Sequence, residues 1–349
     1  MGRSGVRRLL TSRALYGGGG LGLAGGGLFG VIKLEALLAR RSIGPASSTP
    51  PEADGSYGAH LPGDPLTLLV LGDSAAAGYG VDEPACTPAA MLGTDLAVST
   101  GRPVQVTCRA FVGACSADLD GQIDSVTIHP DVTVVIVGVN DITHGVRRSA
   151  AVAALGRAAQ RLVDGGSRVV VGTCPDMGTI GPVAPPLRQV ARFLSRRMAA
   201  AQTVAVVEAG GLTVSLAALL GRQFAQSPGK FFGADRFHPS QAGYTSMVQV
   251  LLPSVIASLE DADTAGDLPL ARREPVLPVR AAAWEAAYLA GTEVSSASVA
   301  GRERGPRGRW AQLRHRRRAL PPEATAGAAR PDVGERELAD VAGQSCGVS

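Results

Sequence analysis

The sequence predicts an α/β fold, a three-layer α/β/α sandwich around a parallel central sheet. Short apolar runs typical of buried strands lie near 66–71, 103–107, 132–138, 168–173 and 203–207. Helix-like stretches separate and follow these runs, near 87–98, 116–126, 148–164, 186–201 and 240–259. This alternation indicates βαβ units, in which helices cover both faces of a parallel sheet.

The same pattern divides the 349 residues into four regions. Residues 1–41 hold a basic N-terminus and an apolar segment, and residues 42–65 are rich in Pro, Ser and Gly, as linkers are. Residues 66–260 form the predicted α/β domain. Residues 261–349 are expected to be a mostly disordered extension with one more helix at 281–291, because the strand and helix pattern decays there.

The first predicted strand, 66–71, runs into the sequence GDSAAAGYG. It is continuously apolar, so we expect it to be buried on both faces. Ser74 follows at the carboxyl end of this strand, where open α/β sheets bind their ligands, and the small residues after it leave space beside its hydroxyl. Helix capping is the alternative role for Ser74 and Asp73, since both residue types cap helices.

Three later segments fall at the same predicted edge of the sheet. FVGAC at 111–115 follows the second strand, GVND at 138–141 ends the third, and DRFHPSQAGY at 235–244 precedes the last helix. Ester chemistry needs a hydroxyl, a base that takes its proton, and donors for the oxyanion that forms. Together the four segments supply all three kinds of group.

Ser74, Asp235 and His238 are the candidate catalytic residues. His238 can accept the Ser74 proton, and Asp235, three residues earlier, can fix the tautomer of the imidazole. The candidate oxyanion donors are the backbone N–H groups of Ser74 and Gly113 and the side-chain amide of Asn140. A glycine at 113 lets a substrate approach the backbone closely.

These segments resemble the blocks of the SGNH hydrolases, the GDSL-like lipase/esterase family. GDS at 72–74 resembles the first block, with Ala75 where the family usually has Leu; Gly113 resembles the second-block glycine, GVND the third block, and Asp235 with His238 the DxxH block. The resemblance covers about 62–260. It implies an SGNH, flavodoxin-like sandwich and a serine esterase or lipase, in an exported member of actinobacterial type. An α/β-hydrolase is disfavoured because GxSxG is missing.

The expected function is hydrolysis of carboxylic esters through an acyl-enzyme. Two alternatives remain open: acyl transfer to or from an envelope sugar or lipid by the same residues, and an inactive envelope-binding protein. No metal is expected, because no CxxC motif or Cys/His cluster has zinc-site spacing. No nucleotide cofactor is expected either, since GLGLAG at 20–25 follows no strand.

The N-terminal region predicts the location of the protein. Four arginines, at positions 3, 7, 8 and 13, precede an uncharged run at 14–32 that is long enough to cross a bilayer. A cleaved signal peptide and an uncleaved anchor both fit this pattern, and the lack of a nearby small-x-small cleavage site favours the anchor. Either one implies export, with membrane contact through 14–32 and a place in the cell envelope.

Two further features bear on compartment and partners. A disulfide is expected among the four cysteines of the domain, because exported proteins meet an oxidising environment; these are Cys86, Cys108, Cys115 and Cys174. The net charge is +4, and much of it comes from the two ends, including a basic run at 302–318. We interpret that run as a solvated tail and expect no nucleic-acid partner.

Overall fold

The computed structural model describes residues 27, 29–39, 41–44, 48–263, 276–297 and 310–315. The strands are β1 (Gly55–Tyr57), β2 (Leu66–Gly72), β3 (Val104–Cys108), β4 (Val132–Ile136), β5 (Arg168–Gly172), β6 (Leu212–Val214), β7 (Val276–Pro278), β8 (Thr292–Ser296) and β9 (Trp310–His315). The first helix, α1, comprises residues 29–39 and 41–43. The other helices are α2 (Ser74–Ala77), α3 (Pro88–Thr100), α4 (Leu119–Asp124), α5 (Val139–Thr143), α6 (Arg148–Asp164), α7 (Leu187–Glu208), α8 (Ala217–Leu219), α9 (Pro228–Phe231), α10 (Gln241–Asp263) and α11 (Val279–Ala286).

The strands form one sheet in the order β1-β3-β2-β4-β5-β6-β8-β9-β7. The five central strands, from β3 to β6, are parallel, whereas β1, β8, β9 and β7 pair antiparallel at the two sides. The chain runs from β2 to β3 on one side and then crosses to β4 on the other. The carboxyl end of β2 is therefore a topological switch point, the place where such sheets bind ligands.

Helices cover both faces of the parallel strands, so the predicted three-layer α/β sandwich is confirmed. Helices α3 and α10 pack on one face, with Leu92, Leu96 and Leu251 against strand residues such as Leu68. Helices α4, α6 and α7 pack on the other face, against the alternate residues of β2, β4 and β5. Because both faces are covered, β4 is buried throughout, as its continuous apolar sequence predicts.

One predicted strand was wrong. Residues 203–207 continue α7, and the fifth parallel strand is β6, a few residues later. The β-branched residues there favour a strand by propensity, but the buried residues of α7 recur at helical spacing, through Gln202, Thr203, Val206 and Val207. Packing of this face against the sheet outweighs the local propensity.

The proposed linker contributes to the fold. Within 42–65, β1 pairs with β3, and Ala53 is buried. The Asp54 carboxylate accepts a hydrogen bond from the Cys108 N–H at 2.7 Å and forms an ion pair with Arg109 at 2.6 Å. Backbone pairing and one carboxylate hold this segment. Composition alone does not reveal the strand pairing or the carboxylate contacts, because neither of them requires an apolar run.

The extension at 261–349 also adds ordered structure. Strands β7, β8 and β9 and helix α11, which includes much of the predicted helix at 281–291, extend the sheet beyond β6 and share a small core with Val207 of α7. The strands are short and mixed in polarity, so their sequences carry a weak strand signal. Residues 316–349 and most of the basic run at 302–318 lie outside the described residues.

Helix α1 overlaps the end of the uncharged run 14–32, most of which lies outside the described residues. In the part of the chain that the structure describes, one stretch, Gln241–Glu260 in α10, is long and apolar enough to cross a membrane. Half of it is buried inside the domain, where α10 packs against the sheet. A core helix of this length and composition has the same properties, so α10 is a core helix of the domain.

Candidate active site

Ser74 lies at the start of α2, immediately after β2. Gly72 just before it has φ +135°, and a Cβ there would overlap the carbonyl oxygen of Ile136, so only glycine fits. The Asp73 carboxylate then accepts the Ala75 N–H at 3.0 Å and caps the short helix. These constraints explain why a strand ends in Gly-Asp-Ser, and they place Ser74 at the edge of the sheet.

Two buried glutamines hold the carboxyl ends of neighbouring strands. Gln122 of α4 accepts the Gly72 N–H and donates to the Gly72 carbonyl oxygen, both at 2.8 Å. Gln202 of α7 donates to the Val137 carbonyl oxygen at 2.9 Å and accepts the Cys174 N–H at 2.8 Å. Each amide therefore bonds to the backbone of the site through both its oxygen and its nitrogen.

Ser74, His238 and Asp235 form one continuous chain of hydrogen bonds. The His238 Nε2 atom lies 3.0 Å from Ser74 Oγ, and His238 Nδ1 lies 2.6 Å from Asp235 Oδ2. His238 follows a bend at Arg236, which has φ +57°. The structure thus brings together all three residues that the sequence nominated for catalysis.

The second carboxylate oxygen of Asp235 fixes the loop. It accepts the backbone N–H groups of Phe237 and His238, at 2.9 and 3.0 Å. Burial alone would raise the pKa of Asp235, but the hydrogen bonds from His238 and Phe237 outweigh it and hold this pKa below its usual value. Asp235 therefore remains an anion beside the imidazole at neutral pH.

The His238 ring is held between two aromatic residues. Its centroid lies 4.4 Å from the Tyr79 ring and 4.8 Å from the Phe237 ring. The Tyr79 backbone is fixed in turn, because the hydroxyl of the buried Tyr244 in α10 donates to the Tyr79 carbonyl oxygen at 2.7 Å. The imidazole consequently has little freedom to turn away from Ser74.

The three candidate oxyanion donors lie on connected segments. Gly113 has φ +88°, and a Cβ there would meet no atom within 4 Å, so the space in front of it is open. The Asn140 amide Nδ2 donates to the Ala114 carbonyl oxygen at 3.0 Å. Among the described residues, the Ser74 and Gly113 N–H groups have no acceptor. Both therefore remain able to bind a substrate oxygen.

The Asp141 side chain joins the GVND segment to the segment that follows Cys115. Its buried carboxylate accepts hydrogen bonds from the Ser116 hydroxyl at 2.7 Å and from the Ser116 N–H at 3.2 Å.

Burial raises the pKa of nearby Asp73 to about 7. Backbone hydrogen bonds from Ala75 and Gly138 lower this pKa in part, and the charge of Asp141 adds to the rise. Two buried carboxyl groups, Asp73 and Asp141, thus lie next in sequence to the candidate oxyanion residues Ser74 and Asn140.

A cavity of about 60 Å³ lies beside Ser74 and His238. Apart from Asp73 and these two residues, its walls are apolar side chains, prolines and a glycine; the innermost include Ile136, Leu216, Leu219, Phe224, Phe232 and Met247. A water-sized group needs roughly 10–15 Å³ by this measure. The cavity therefore suits a short apolar chain of a few carbon atoms.

The cysteines differ from the expectation. Cys108, Cys115 and Cys174 are free thiols, and Cys86 is disulfide-bonded, so no disulfide pairs two of these four. Burial and nearby carboxylates raise the pKa of Cys115 to about 11, which keeps this thiol protonated at neutral pH although it lies 3.4 Å from His144. Cys115 is therefore no rival nucleophile to Ser74.

Within the described ranges, no group of three His, Cys, Asp or Glu side chains is placed to hold a metal ion.

The sequence did not single out Gln122, Gln202, Ser116 or the packing partners of His238. Their partners lie far along the chain: 50 residues separate Gln122 from Gly72, and 65 separate Gln202 from Val137. A glutamine that bonds to the backbone of a distant segment leaves no local motif. Only the regular placement of α4 and α7 against the sheet could have indicated them.

Comparisons with known proteins find a matching family model and a similar esterase. The model of the GDSL-like lipase/acylhydrolase family matches residues 70–245. A GDSL-like esterase of Mycobacterium tuberculosis, Rv1075c, is 36% identical over 281 residues, covering 74% of this chain and 86% of that protein. The family match spans all five candidate catalytic and oxyanion residues, Ser74, Gly113, Asn140, Asp235 and His238.

Solved structures are similar over a smaller part of the chain. TesA is 24% identical with a TM-score of 0.42, covering 56% of this chain and 98% of its own. A catalytic mutant of an acetylxylan esterase from Geobacillus stearothermophilus is 17% identical with a TM-score of 0.42, covering 56% of this chain and 94% of its own.

Proposed function

The chain belongs to the GDSL-like lipase/acylhydrolase family and is a carboxylic ester hydrolase, and we propose that it works through an acyl-enzyme on Ser74. In this mechanism His238 is the general base and Asp235 orients it. The observation that carries the proposal is the hydrogen-bond chain from Asp235 Oδ2 through both nitrogens of His238 to Ser74 Oγ.

The first half-reaction forms the acyl-enzyme. Ser74 Oγ attacks the ester carbonyl carbon while His238 Nε2 takes the hydroxyl proton. The carbonyl electron pair moves to oxygen, and the N–H groups of Ser74 and Gly113 and the Asn140 amide stabilise this oxyanion. The intermediate then breaks its bond to the alcohol oxygen, which receives the proton from His238 and leaves.

The second half-reaction releases the acid. Water takes the place of the alcohol, gives a proton to His238 Nε2 and attacks the acyl carbon through the same oxyanion. The bond to Ser74 Oγ breaks, and the proton returns to the serine. Asp235 stays ionised throughout and stabilises the imidazolium that forms in each half.

The cavity beside Ser74 indicates the acyl group. Its apolar walls favour a hydrocarbon chain over a sugar or a charged acid, and its volume of about 60 Å³ favours a short one. We therefore propose that the enzyme prefers esters of short, apolar acids. Export and membrane association through residues 14–32 remain part of the proposal, on the charge pattern of the N-terminal region.

A burst experiment tests the mechanism. Mixing the full chain with p-nitrophenyl butyrate should release about one equivalent of nitrophenol before the steady state if an acyl-enzyme accumulates. A serine-directed phosphonate should abolish turnover and label Ser74, and the exposed Ser99 replaced by Ala should leave both results unchanged. Full activity after complete labelling of Ser74, or loss of turnover when only another residue is labelled, would refute the assignment of Ser74.

A further inference from the structure

Helix α1 contacts the wall of the active site. Ala39 is buried in a cluster with Met177, Ile180, Val183 and Ala191, and Val139 and Phe237 pack against the same cluster. Three members of this cluster, Val139, Ile180 and Phe237, also line the cavity beside Ser74. One cluster of apolar side chains therefore contacts both α1 and the substrate cavity.

Two polar contacts fix α1 in this position. The Glu35 carboxylate accepts the Leu187 N–H at 2.8 Å, which places a negative charge at the N-terminus of the long helix α7. At the other end, Arg236 donates to the Ser42 hydroxyl at 3.0 Å. Arg236 lies between Asp235 and His238, so α1 is joined directly to the loop that carries two of the three candidate catalytic residues.

The opposite face of α1 is apolar and exposed. Val31, Leu34, Leu37 and Leu38 recur at helical spacing, and each side chain is between 46% and 56% exposed. Such a row of large apolar residues on one face indicates an interaction surface. Its neighbours in sequence favour a lipid bilayer as the occupant, because α1 continues from the run 14–32, which is uncharged and long enough to span a bilayer.

We propose that α1 rests on a lipid bilayer through Val31, Leu34, Leu37 and Leu38, and that the active site takes esters whose alcohol part is embedded in that bilayer. The proposal rests on the esterase function proposed above. In this proposal the chain leaves the bilayer at α1, and because α1 packs against the wall of the cavity, the active site lies close to the lipid surface. The short acyl group enters the cavity while the rest of the substrate stays in the membrane.

Two substrates with the same acyl group distinguish binding of α1 to the bilayer from ester hydrolysis itself. One is p-nitrophenyl butyrate in solution, and the other is dioleoyl-butyryl-glycerol in vesicles of phosphatidylcholine and phosphatidylglycerol. The full chain is compared with a variant in which Leu34, Leu37 and Leu38 are each replaced by Ser. A matched control replaces three other exposed apolar residues by Ser: Val98, Ile128 and Leu289.

The helix variant should lose about tenfold or more of its activity on the vesicle-borne ester, because three leucines no longer enter the lipid. Its activity on p-nitrophenyl butyrate should stay within about twofold of the wild type, as should both activities of the control. Equal losses of activity on both substrates would mean that α1 only supports the loop of Asp235 and His238, and would overturn the proposal. Unchanged hydrolysis of the vesicle-borne ester would also overturn the proposal.

A second measurement reports the contact without catalysis. In vesicles that contain brominated lipid, Leu37→Trp should show quenched fluorescence above the background of the two native tryptophans, whereas Val98→Trp should not. A dimer that the serine variant dissociates would assign the face to a second copy and overturn the proposal. Failure of the esterase function itself would appear separately, as absence of turnover of p-nitrophenyl butyrate by the wild type.

Discussion

The side-chain amide of Asn140 donates one N–H to the Ala114 carbonyl oxygen, at 3.0 Å. An amide has two such hydrogens, so this bond orients the group while its second N–H remains able to meet the substrate. Ala114 directly follows Gly113, another candidate donor. A single hydrogen bond therefore links two segments that carry candidate oxyanion donors and follow different strand ends.

We expect Asn140→Ala to lower kcat by about 10²–10³, with little change in KM, because an oxyanion donor stabilises the transition state more than the bound ester. Steady-state kinetics with p-nitrophenyl butyrate would measure this. Asn140→Asp is the sharper variant, since its carboxylate repels both the oxyanion and the Ala114 carbonyl oxygen. A folded Asp variant with the wild-type kcat would exclude Asn140 from the site.

The catalytic triad should show a graded response. His238→Ala removes the base and should cost about 10⁶ in kcat, whereas Asp235→Asn disturbs tautomer and orientation and should cost about 10⁴. Ser74→Ala should equal His238→Ala, and a thermal unfolding curve close to the wild type would show that its fold is intact. Equal defects in Asp235→Asn and His238→Ala would contradict the roles assigned to them.

Asp73 should make stability depend on pH. Its pKa is about 7 in the fold, where burial raises it, and about 3.8 when the chain is unfolded. Between these values the folded chain holds a proton that the unfolded chain has released, so the free energy of unfolding falls as pH rises through this window. Three pKa units correspond to about 4 kcal/mol at most.

The variant Asp73→Asn should remove this pH dependence while it keeps the cap, since an amide oxygen can still accept the Ala75 N–H. Urea unfolding at about pH 4.5 and about pH 7.5 measures the difference. The exposed Asp64, replaced by Asn, is the control and should keep the wild-type slope. A slope that persists in Asp73→Asn would show that another group carries the proton.

Met247 should limit the length of the acyl chain. It lies in α10, is buried, and lines the cavity beside Ser74. Met247→Ala should extend the cavity and shift the best p-nitrophenyl ester by roughly two carbons towards longer chains, at a cost of about 2–5 kcal/mol in stability. The measurement is kcat/KM over a series from acetate to decanoate. An unchanged preference would mean that the acyl chain lies elsewhere.

Local sequence patterns were sufficient to predict the central part of the fold. The strands β2, β4 and β5 and the segments that follow them could be predicted because continuous apolar runs and Gly-Asp-Ser are short-range signals. The peripheral strands could not, since Gly55–Tyr57 and Trp310–His315 are held by backbone pairing that leaves no apolar pattern. The end of α7 was predicted wrongly because burial against the sheet outweighed β-branched propensity at Val206 and Val207.

The residues nominated for the site show the same division. The sequence named the reacting groups, since each lies in a recognisable motif, and their catalytic roles remain predictions. It did not name Gln122 and Gln202, whose function is to hold backbone from distant segments. It also treated 1–41 as a targeting segment alone, because the contact between Glu35 and Leu187 joins residues 152 positions apart.

The hydrogen bond between Ser74 and His238 joins residues separated by 164 positions. The nucleophile follows an early strand, and the base precedes the last large helix, so this contact closes only when nearly the whole sandwich has assembled. Contacts of such long range are typical of slow folding steps. On refolding, esterase activity would return only once the segment before α10 has met the end of β2, and a partly assembled chain would expose no working nucleophile to the esters around it.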